Sequence, residues 1–241
     1  MSLNAEQKEK YYHTTFLKEI GEKGQEALLK SKVLVVGAGG LAAPSLLYLA
    51  SIGVGCIGVV DDDIISLSNL PRQIIFDEDD IGKKKVDVIK EKLEKKNKDT
   101  FVQTYPIKIN KENAKEIIQG YDIVIEFSDD FATKFIVDEV CVALNIPFVI
   151  AGVSDYQGQV CTCIPSKSKD FKSLFSVLPV NIDEKYRLEE QGVFPLSIGV
   201  VSEIASSEAI KLLLGIGNPI LNKMLIINLL TNKYQIINYP D

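Results

Sequence analysis

The stretch of sequence that decides the fold is Lys32-Val33-Leu34-Val35-Val36-Gly37-Ala38-Gly39-Gly40-Leu41-Ala42. Its four consecutive apolar residues, three of them β-branched, predict a strand that is buried on both faces. The glycines predict a tight turn, and the apolar run from Leu41 predicts a helix that tolerates Pro44 in its first turn. A strand, a glycine turn and a helix in this order direct backbone N–H groups and a helix N-terminus at a phosphate.

The turn has the spacing G-x-G-x-x-A, a variant of the dinucleotide-binding fingerprint. On its own this spacing is weak evidence, because many folds contain a glycine turn. A second predicted strand, from Val54 to Val60, ends at Asp61-Asp62-Asp63. Asp61 follows the glycines by about twenty residues, where a carboxylate that binds ribose hydroxyls is expected. The two features together predict a nucleotide site.

The composition favours one cytoplasmic domain over residues 1–241. With 241 residues, 46% of them hydrophobic, the chain can bury one substantial core. A net charge of −6 and the lack of a basic stripe with interleaved aromatic residues argue against a nucleic-acid partner. The polar N-terminal sequence and the lack of a long, charge-free apolar stretch predict neither a secretory signal nor a membrane partner. Buried free thiols are expected for Cys56, Cys141, Cys161 and Cys163.

Alternating strands and helices predict an α/β fold. Residues 1–30 are expected to form N-terminal helices, interrupted by Gly21 and Gly24, and residues 31–152 a doubly wound, mostly parallel, Rossmann-like sheet that carries the nucleotide site. The basic run Lys83-Lys84-Lys85 is expected to be the solvated start of a helix. The predicted strands are 33–36, 54–60, 101–109, 121–127 and 147–151, and the predicted helices are 41–53, 83–97, 111–119 and 131–144.

After Gly152 the pattern changes to that of an antiparallel β extension. A strand over 158–164, an apolar helix over 197–214 and a hairpin of 224–228 with 233–238 are predicted. Residues 165–195 predict a long irregular segment, which in a compact domain is typical of a mobile loop or a lid. We expect residues 153–241 to bind the substrate and to form a dimer, because small residues of the apolar helix permit close helix contact.

Polar side chains and glycines are expected to meet at the carboxyl edge of the sheet, where ligands bind in open α/β folds. They are Gly39, Gly40, Asp61, Asn69, Arg72, Lys85 and Asp129. A dehydrogenase needs the glycines and Asp61, but it has no use for two cations and a further acid. Two cations near a polyphosphate and a carboxylate able to hold Mg²⁺ suit nucleotidyl transfer. The residues alone therefore indicate an ATP-using enzyme.

The sequence resembles the ThiF/MoeB/HesA family, relatives of the ubiquitin-activating enzymes. The most specific matching stretch is Ser68-Asn69-Leu70-x-Arg72-Gln73, and the similarity runs from around Lys10 to the C-terminus. Besides the glycine turn and Lys85, the other matching stretches are Glu19-Ile20-Gly21, Gly24-Gln25-Glu26-Ala27-Leu28, Asp61-x-Asp63, Ser128-Asp129, Gly158-Gln159 and Glu208-Ala209-Ile210-Lys211.

The resemblance implies a homodimeric enzyme that uses ATP and Mg²⁺ to adenylate the C-terminal carboxylate of a small ubiquitin-like sulfur-carrier protein or a short precursor peptide. It assigns Gly40 to the phosphates, Asp61 to the ribose hydroxyls, and Asn69 and Arg72 to the triphosphate. It assigns Lys85 to charge neutralisation and Asp129 to Mg²⁺. Arg72, Lys85 and Asp129 are therefore the predicted catalytic residues. The remaining predicted nucleotide contacts are Gly37, Gly39, Asp63, Ser68, Asp130 and His13.

The sequence departs from the family pattern at the cysteines. The family's zinc site needs two C-x-x-C pairs, but Phe171 and Leu174 occupy the places of the first pair, and a second is missing. Cys161 and Cys163 have the wrong spacing for that site, so structural zinc is not expected. The family's acceptor cysteine aligns near Leu188, so we expect adenylation without a thioester on the enzyme.

Two further departures concern charge. His13 stands where the family has an arginine that reaches the partner subunit's ATP phosphates, and a histidine, often neutral at pH 7, is a weaker phosphate ligand. Asp130 replaces an asparagine after Asp129, and the adjacent carboxylates are expected to raise one pKa or to alter Mg²⁺ binding. Asp129 has an alternative role as a helix N-cap, because Ser128-Asp129-Asp130 is good capping chemistry.

Three functions from different classes remain open. The first is adenylation, and the departures favour a divergent member that adenylates a peptide and leaves the next step to a separate or intramolecular nucleophile. The second is a catalytically weakened member that binds a nucleotide or a partner without turnover. The third is an NAD-dependent oxidoreductase. ATP–pyrophosphate exchange separates the first two, and nucleotide preference separates both from the third.

Overall fold

The computed structural model describes residues 2–175 and 192–239. Its strands are β1 (Lys32–Val36), β2 (Cys56–Val60), β3 (Phe101–Tyr105), β4 (Ile123–Glu126), β5 (Phe148–Ser154), β6 (Gln157–Cys163), β7 (Lys223–Asn228) and β8 (Lys233–Asn238). They form one sheet in the order β3-β2-β1-β4-β5-β6-β7-β8. The pairs among β1 to β5 are parallel, and those from β5 to β8 are antiparallel. The predicted mostly parallel sheet with an antiparallel C-terminal extension is confirmed.

Helices pack on both faces of the sheet. They are α1 (Ala5–Lys10), α2 (Tyr12–Thr15), α3 (Gly21–Leu28), α4 (Ala42–Ser51), α5 (Lys85–Lys96), α6 (Ala114–Ile118), α7 (Phe131–Leu144), α8 (Phe171–Phe175) and α9 (Pro195–Leu214). One buried apolar cluster takes in α4, α5 and α9, and a second takes in α6, α7 and α8. None of the helices in the described ranges is long and apolar enough to cross a membrane.

The strand β1 shows why the apolar run at the start of the glycine motif decides the fold. Val33 and Val35 belong to the first apolar cluster, whereas Leu34 and Val36 belong to the second. Successive residues of a strand point to opposite faces, so a strand covered by helices on both sides must be apolar at every position. The predicted burial of β1 on both faces is therefore confirmed.

Several predicted boundaries were wrong for local reasons. The strand β3 ends at Tyr105 rather than residue 109, because Pro106 has no N–H group for the ladder. The strand β5 extends to Ser154, because its last residues pair with β6. Gly24 lies within α3 and does not interrupt it. The predicted irregular segment 165–195 contains α8, and residues 176–191, including Leu188, lie outside the described residues.

Close packing beside β2 makes one glycine essential for the fold. A Cβ atom at Gly55 would lie 2.0 Å from the carbonyl oxygen of Leu29. We expect Gly55→Ala to lower the free energy of unfolding by about 3 kcal/mol, since the backbone must shift to remove the overlap. Chemical denaturation measures this loss. Gly192→Ala is the control, because nothing lies within 4 Å of the added methyl group, and equal stability of the two variants would contradict the prediction.

Candidate functional site

The glycine turn lies where three segments of the chain meet at the carboxyl edge of the sheet. Gly37 has a φ of +90°, and a Cβ atom there would lie 3.0 Å from the amide nitrogen of Ser128. A Cβ atom at Gly40 would lie 2.9 Å from Ile198 Cδ1 and 3.3 Å from the carbonyl oxygen of Arg72. The glycines therefore allow the end of β4, the loop after β2 and the start of α9 to close around the turn.

Asp61 fastens the glycine turn to the end of β2. Its Oδ2 atom accepts the N–H of Ala38 at 2.7 Å, and its Oδ1 atom accepts the N–H of Asp63 at 2.9 Å. Burial raises the pKa of Asp61, and the nearby Lys85 ammonium and the two hydrogen bonds offset part of that rise. The carboxylate that the sequence assigns to the ribose is thus held in place by backbone donors.

Lys85 is buried, although the sequence predicted a solvated lysine at the start of a helix. It is the first residue of α5 and is 4% exposed. Its Nζ atom donates to Asp63 Oδ2 at 2.6 Å, and its backbone N–H donates to the Asp63 carbonyl oxygen at 3.1 Å. The solvated-lysine prediction failed for Lys85 because its partner lies 22 residues earlier in the chain. The pair places a cation at the end of β2, next to Asp61.

The loop with the most specific motif is ordered by its own side chains. Asn69 Oδ1 accepts the N–H of Ser66 at 3.0 Å, and this contact closes a short 3₁₀ turn. Arg72 Nη1 donates to the carbonyl oxygen of Ser68 at 2.7 Å. Because the Arg72 backbone also contacts Gly40, the loop brings Ser68, Asn69 and Arg72 alongside the glycine turn.

Gln73 was given no role in the sequence prediction, yet it lies behind the same turn. It is buried, and its Nε2 atom is 4.0 Å from the position a Cβ atom would take at Gly39. Its Oε1 atom has no hydrogen-bond partner among the described residues. Its place beside Arg72 in the quoted motif is the signal that could have identified it.

The turn after β4 separates two adjacent aspartates into different roles. Asp130 is the N-cap of α7, where its Oδ1 accepts the N–H of Ala132 at 3.0 Å and its Oδ2 accepts the hydroxyl of Thr133 at 2.9 Å. The predicted alternative, Asp129 as the cap, was wrong. Asp129 is exposed, and the described part of the chain offers its carboxylate no hydrogen-bond or ion-pair partner. Its carboxylate is therefore free to bind a ligand.

The adjacent carboxylates of Asp129 and Asp130 were expected to raise one pKa, but the structure lowers the pKa of Asp130. Burial opposes its ionisation, but the hydrogen bonds from Thr133 and Ala132 and the charge of Lys108 outweigh burial and lower the pKa of Asp130. The reason is that capping supplies donors to the ionised form, which adjacency in the sequence does not reveal.

We expect Asp130→Ala to lower the free energy of unfolding by about 1 kcal/mol at pH 7, through loss of the cap. Because the pKa of Asp130 is lowered by folding, its stabilising effect is present above the usual aspartate pKa and is lost as the pH falls through the folded-state value. Denaturation should show a smaller difference in free energy of unfolding between the wild type and Asp130→Ala at about pH 3 than at pH 7. Asp130→Ser should recover most of the lost stability, because serine is also a good N-cap. If the stability difference between the wild type and Asp130→Ala does not change with pH, the carboxylate has no role in the cap.

Mg²⁺ fits this edge of the sheet if Asp129 and the bound nucleotide share its coordination. Three carboxylates come within 4.8 Å of one another, among the described residues, at Asp61, Asp62 and Asp63, and Asp129 stands apart from them. An ion held by Asp129 would take its other ligands from phosphate oxygens and water. This is the usual coordination of Mg²⁺ bound with a nucleotide, through one or two carboxylates.

The two remaining predicted features are His13 and the small residues of α9. His13 is exposed on α2, and its ring meets the ring of Tyr12 edge-on at 5.4 Å. The small residues of α9 serve close contact with α4, since Ser202 Oγ donates to the Leu41 carbonyl oxygen at 2.6 Å and Ser206 Oγ to Ser45 Oγ at 2.7 Å. The predicted close helix contact is therefore made within the chain.

Known proteins resemble this chain in sequence and in structure. Residues 11–241 match the model of the ThiF family. A protein from Thermus thermophilus, named sulfur carrier protein adenylyltransferase, is 35% identical over 240 residues, which cover 98% of this chain and 88% of that protein. The crystal structure of E. coli MccB with MccA-N7isoASN has a TM-score of 0.85 at 29% identity, covering 96% of this chain and 72% of that chain.

A crystal structure of E. coli MccB with ATP is similar to the same degree. Its TM-score is 0.84 at 28% identity, and the match covers 95% of this chain and 71% of that chain. The matches in sequence and in structure thus both span nearly the whole length of this chain. The chain belongs to the ThiF family and is an adenylyltransferase of the ThiF/MoeB type.

Proposed function

We propose that this enzyme transfers AMP from ATP to the C-terminal carboxylate of a protein or peptide. The observation that carries the proposal is one sheet edge that combines a glycine turn, the cations Arg72 and Lys85, and the carboxylate of Asp129, which has no partner among the described residues. The name of the Thermus relative, and the MccB structures with ATP and with an MccA derivative, support ATP and a carboxylate substrate of this class.

Each side chain has a role that its contacts support. Asp61, held by two backbone donors, presents its remaining lone pairs to the ribose hydroxyls. A carboxylate oxygen of the substrate attacks the α-phosphorus, the bond to the oxygen bridging to the β-phosphate breaks, and pyrophosphate leaves with the electron pair. Arg72 and Lys85 offset the negative charge on the departing pyrophosphate. Mg²⁺ bound at Asp129 would supply further charge neutralisation.

We further propose that the adenylate is consumed without a thioester on this enzyme. Burial raises the pKa of the Cys161 thiol to about 12, and also raises those of Cys141 and Cys163. Because the thiolate is the nucleophile, these buried thiols are poor acceptors. Cys56 begins β2, at the opposite end of that strand from Asp61. All four cysteines are free thiols, and Cys141, Cys161 and Cys163 are buried as predicted, whereas Cys56 is only half-buried. We also propose a reducing cytoplasm as the location.

A homodimer is part of the proposal. Large apolar side chains are exposed on the N-terminal segment, at Tyr12, Phe16 and Leu17. Contiguous exposed apolar surface marks protein interfaces. A second copy on this surface would also cover His13, which occupies the position that the resemblance assigns to the partner subunit's phosphates. Light scattering of the wild type and of Phe16→Glu tests this proposal. We expect the wild type to be a dimer and the variant a monomer, and a variant that stays dimeric would contradict the proposed interface.

ATP–pyrophosphate exchange tests the proposed reaction. We expect exchange in the presence of a short peptide or a small ubiquitin-like protein with a free C-terminal carboxylate. The same peptide with an amidated C-terminus is the control, since it has no carboxylate to adenylate, and should give none. Tight ATP binding without exchange would favour a catalytically weakened member. Binding of NAD in preference to ATP would contradict the proposal and favour an oxidoreductase.

A further inference from the structure

The end of β4 contains a buried ion pair that the proposed mechanism does not use. Glu126 is fully buried, and Lys134, in the first turn of α7, is 4% exposed. Glu126 Oε2 pairs with Lys134 Nζ, which also donates to the carbonyl oxygen of Ala151 at 3.1 Å. Glu126 Oε1 accepts the backbone N–H of Ser128 at 2.9 Å and the Ser128 hydroxyl. The pair therefore joins β4, β5 and α7.

Stability alone is a weak reason for these two charges. The cost of removing both charges from water offsets most of their attraction, and apolar side chains of similar volume are often equally stable in such places. The residues paired with Glu126 in the neighbouring strands, Val36 and Ile150, are both apolar and buried. An apolar side chain at position 126 would thus suit its surroundings, and the charges call for another explanation.

The contacts of the pair surround one residue. On one side of the turn, Ser128 donates a hydrogen bond to Glu126. On the other side, Asp130 accepts hydrogen bonds from Ala132 and Thr133. Between them, Asp129 has an exposed side chain without a partner among the described residues. The backbone that carries Asp129 is thereby fixed from both sides, while its carboxylate stays free.

We propose that Glu126 and Lys134 are positioning residues that hold the Asp129 carboxylate where the metal–nucleotide complex is bound. They act through Ser128 and the ends of β4 and β5, and they do not touch the substrate. The inference rests on the proposed function, because it deepens the assignment of Asp129. A misplacement of about 1 Å at a reacting centre can cost about 100-fold in rate, so the pair has a large effect to exert.

The test removes both charges together, because either single change leaves one charge buried without a partner and destabilises the fold. We expect E126L/K134M, which removes both charges and the acceptor of Ser128, to unfold at nearly the wild-type temperature, to lose ATP–pyrophosphate exchange by about 100-fold, and to need more Mg²⁺ for ATP binding by calorimetry. E208L/K211M is the matched control, since Glu208 and Lys211 form another ion pair with a buried carboxylate, on α9. K134R, which keeps the charge, should retain most of the activity.

A readout without nucleotide or metal separates this inference from the proposed function. Amide hydrogen exchange of the peptide spanning 127–131 should be about tenfold faster in E126L/K134M than in the wild type or the control, because Ser128 loses its acceptor. Unchanged exchange there, or a Mg²⁺ requirement for ATP binding equal to that of the wild type, would overturn the positioning role. If the wild type itself fails to exchange pyrophosphate, the proposed function fails, while hydrogen exchange and the Mg²⁺ dependence of ATP binding still decide the role of the pair.

Discussion

Asp129→Asn is expected to reduce ATP–pyrophosphate exchange by about 1,000-fold while leaving the fold intact. Asparagine keeps the size of the side chain but removes the negative charge that would hold Mg²⁺ beside the triphosphate. The free energy of unfolding should change by less than about 0.5 kcal/mol, since the Asp129 side chain is exposed and has no partner among the described residues. Exchange kinetics and chemical denaturation, run on the same preparation, measure the two effects.

Asp79→Asn is the matched control for this variant. Asp79 is also an exposed carboxylate in a connection, between Glu78 and Asp80, and it has no part in the proposed site. It should keep wild-type exchange, because the chemical change is the same but the location is different. Asp129→Asn with exchange near the wild-type level would show that another group holds the metal. A loss of exchange that comes with a large loss of stability would show that Asp129 is a structural residue.

The parts of the fold that the sequence predicted well depend on local patterns. The apolar run of β1 requires burial on both faces, and the helix over 131–144 lies between a capping aspartate and an asparagine that ends it in the left-handed conformation. The glycine turn is readable in the sequence because glycine is the residue that most readily adopts a positive φ, as Gly37 does. Such features arise from neighbouring residues and need no knowledge of distant contacts.

Two features of the candidate site that the sequence did not predict are the burial of Lys85 and the ion pair of Glu126, and both depend on partners elsewhere in the chain. Lys85 looked solvated because a run of three lysines is typical of a helix surface, and only Asp63 explains its burial. Glu126 ends an apolar strand, and its partner Lys134 lies in the next helix. An acid at the end of a buried strand, with a lysine in the apolar helix after it, is the signal that could have identified this pair.

The second large effect is expected from substitution of Lys85, whose ammonium group lies at the end of β2. We expect Lys85→Met to reduce kcat/KM for ATP by about 100-fold, because the variant loses the cation that offsets charge on the departing pyrophosphate. Stability should fall by only about 1 kcal/mol, since Asp63 is 65% exposed and stays hydrated, although the half-buried Asp61 also loses a nearby positive charge. Methionine also refills the buried space that the aliphatic part of the lysine occupied. Steady-state kinetics and thermal denaturation measure these effects.

Lys83→Met separates a specific role for Lys85 from a general effect of positive charge on α5 and its approach. Lys83 lies two residues earlier, and its side chain is 54% exposed and paired with Asp80. Both variants remove one positive charge by the same substitution, so a general electrostatic attraction of ATP would be weakened equally in both. A catalytic role requires that Lys83→Met stay near the wild type while Lys85→Met fails. If the two variants lose the same small fraction of activity, Lys85 is a structural partner of Asp63, and the cation at the phosphates must be Arg72 alone.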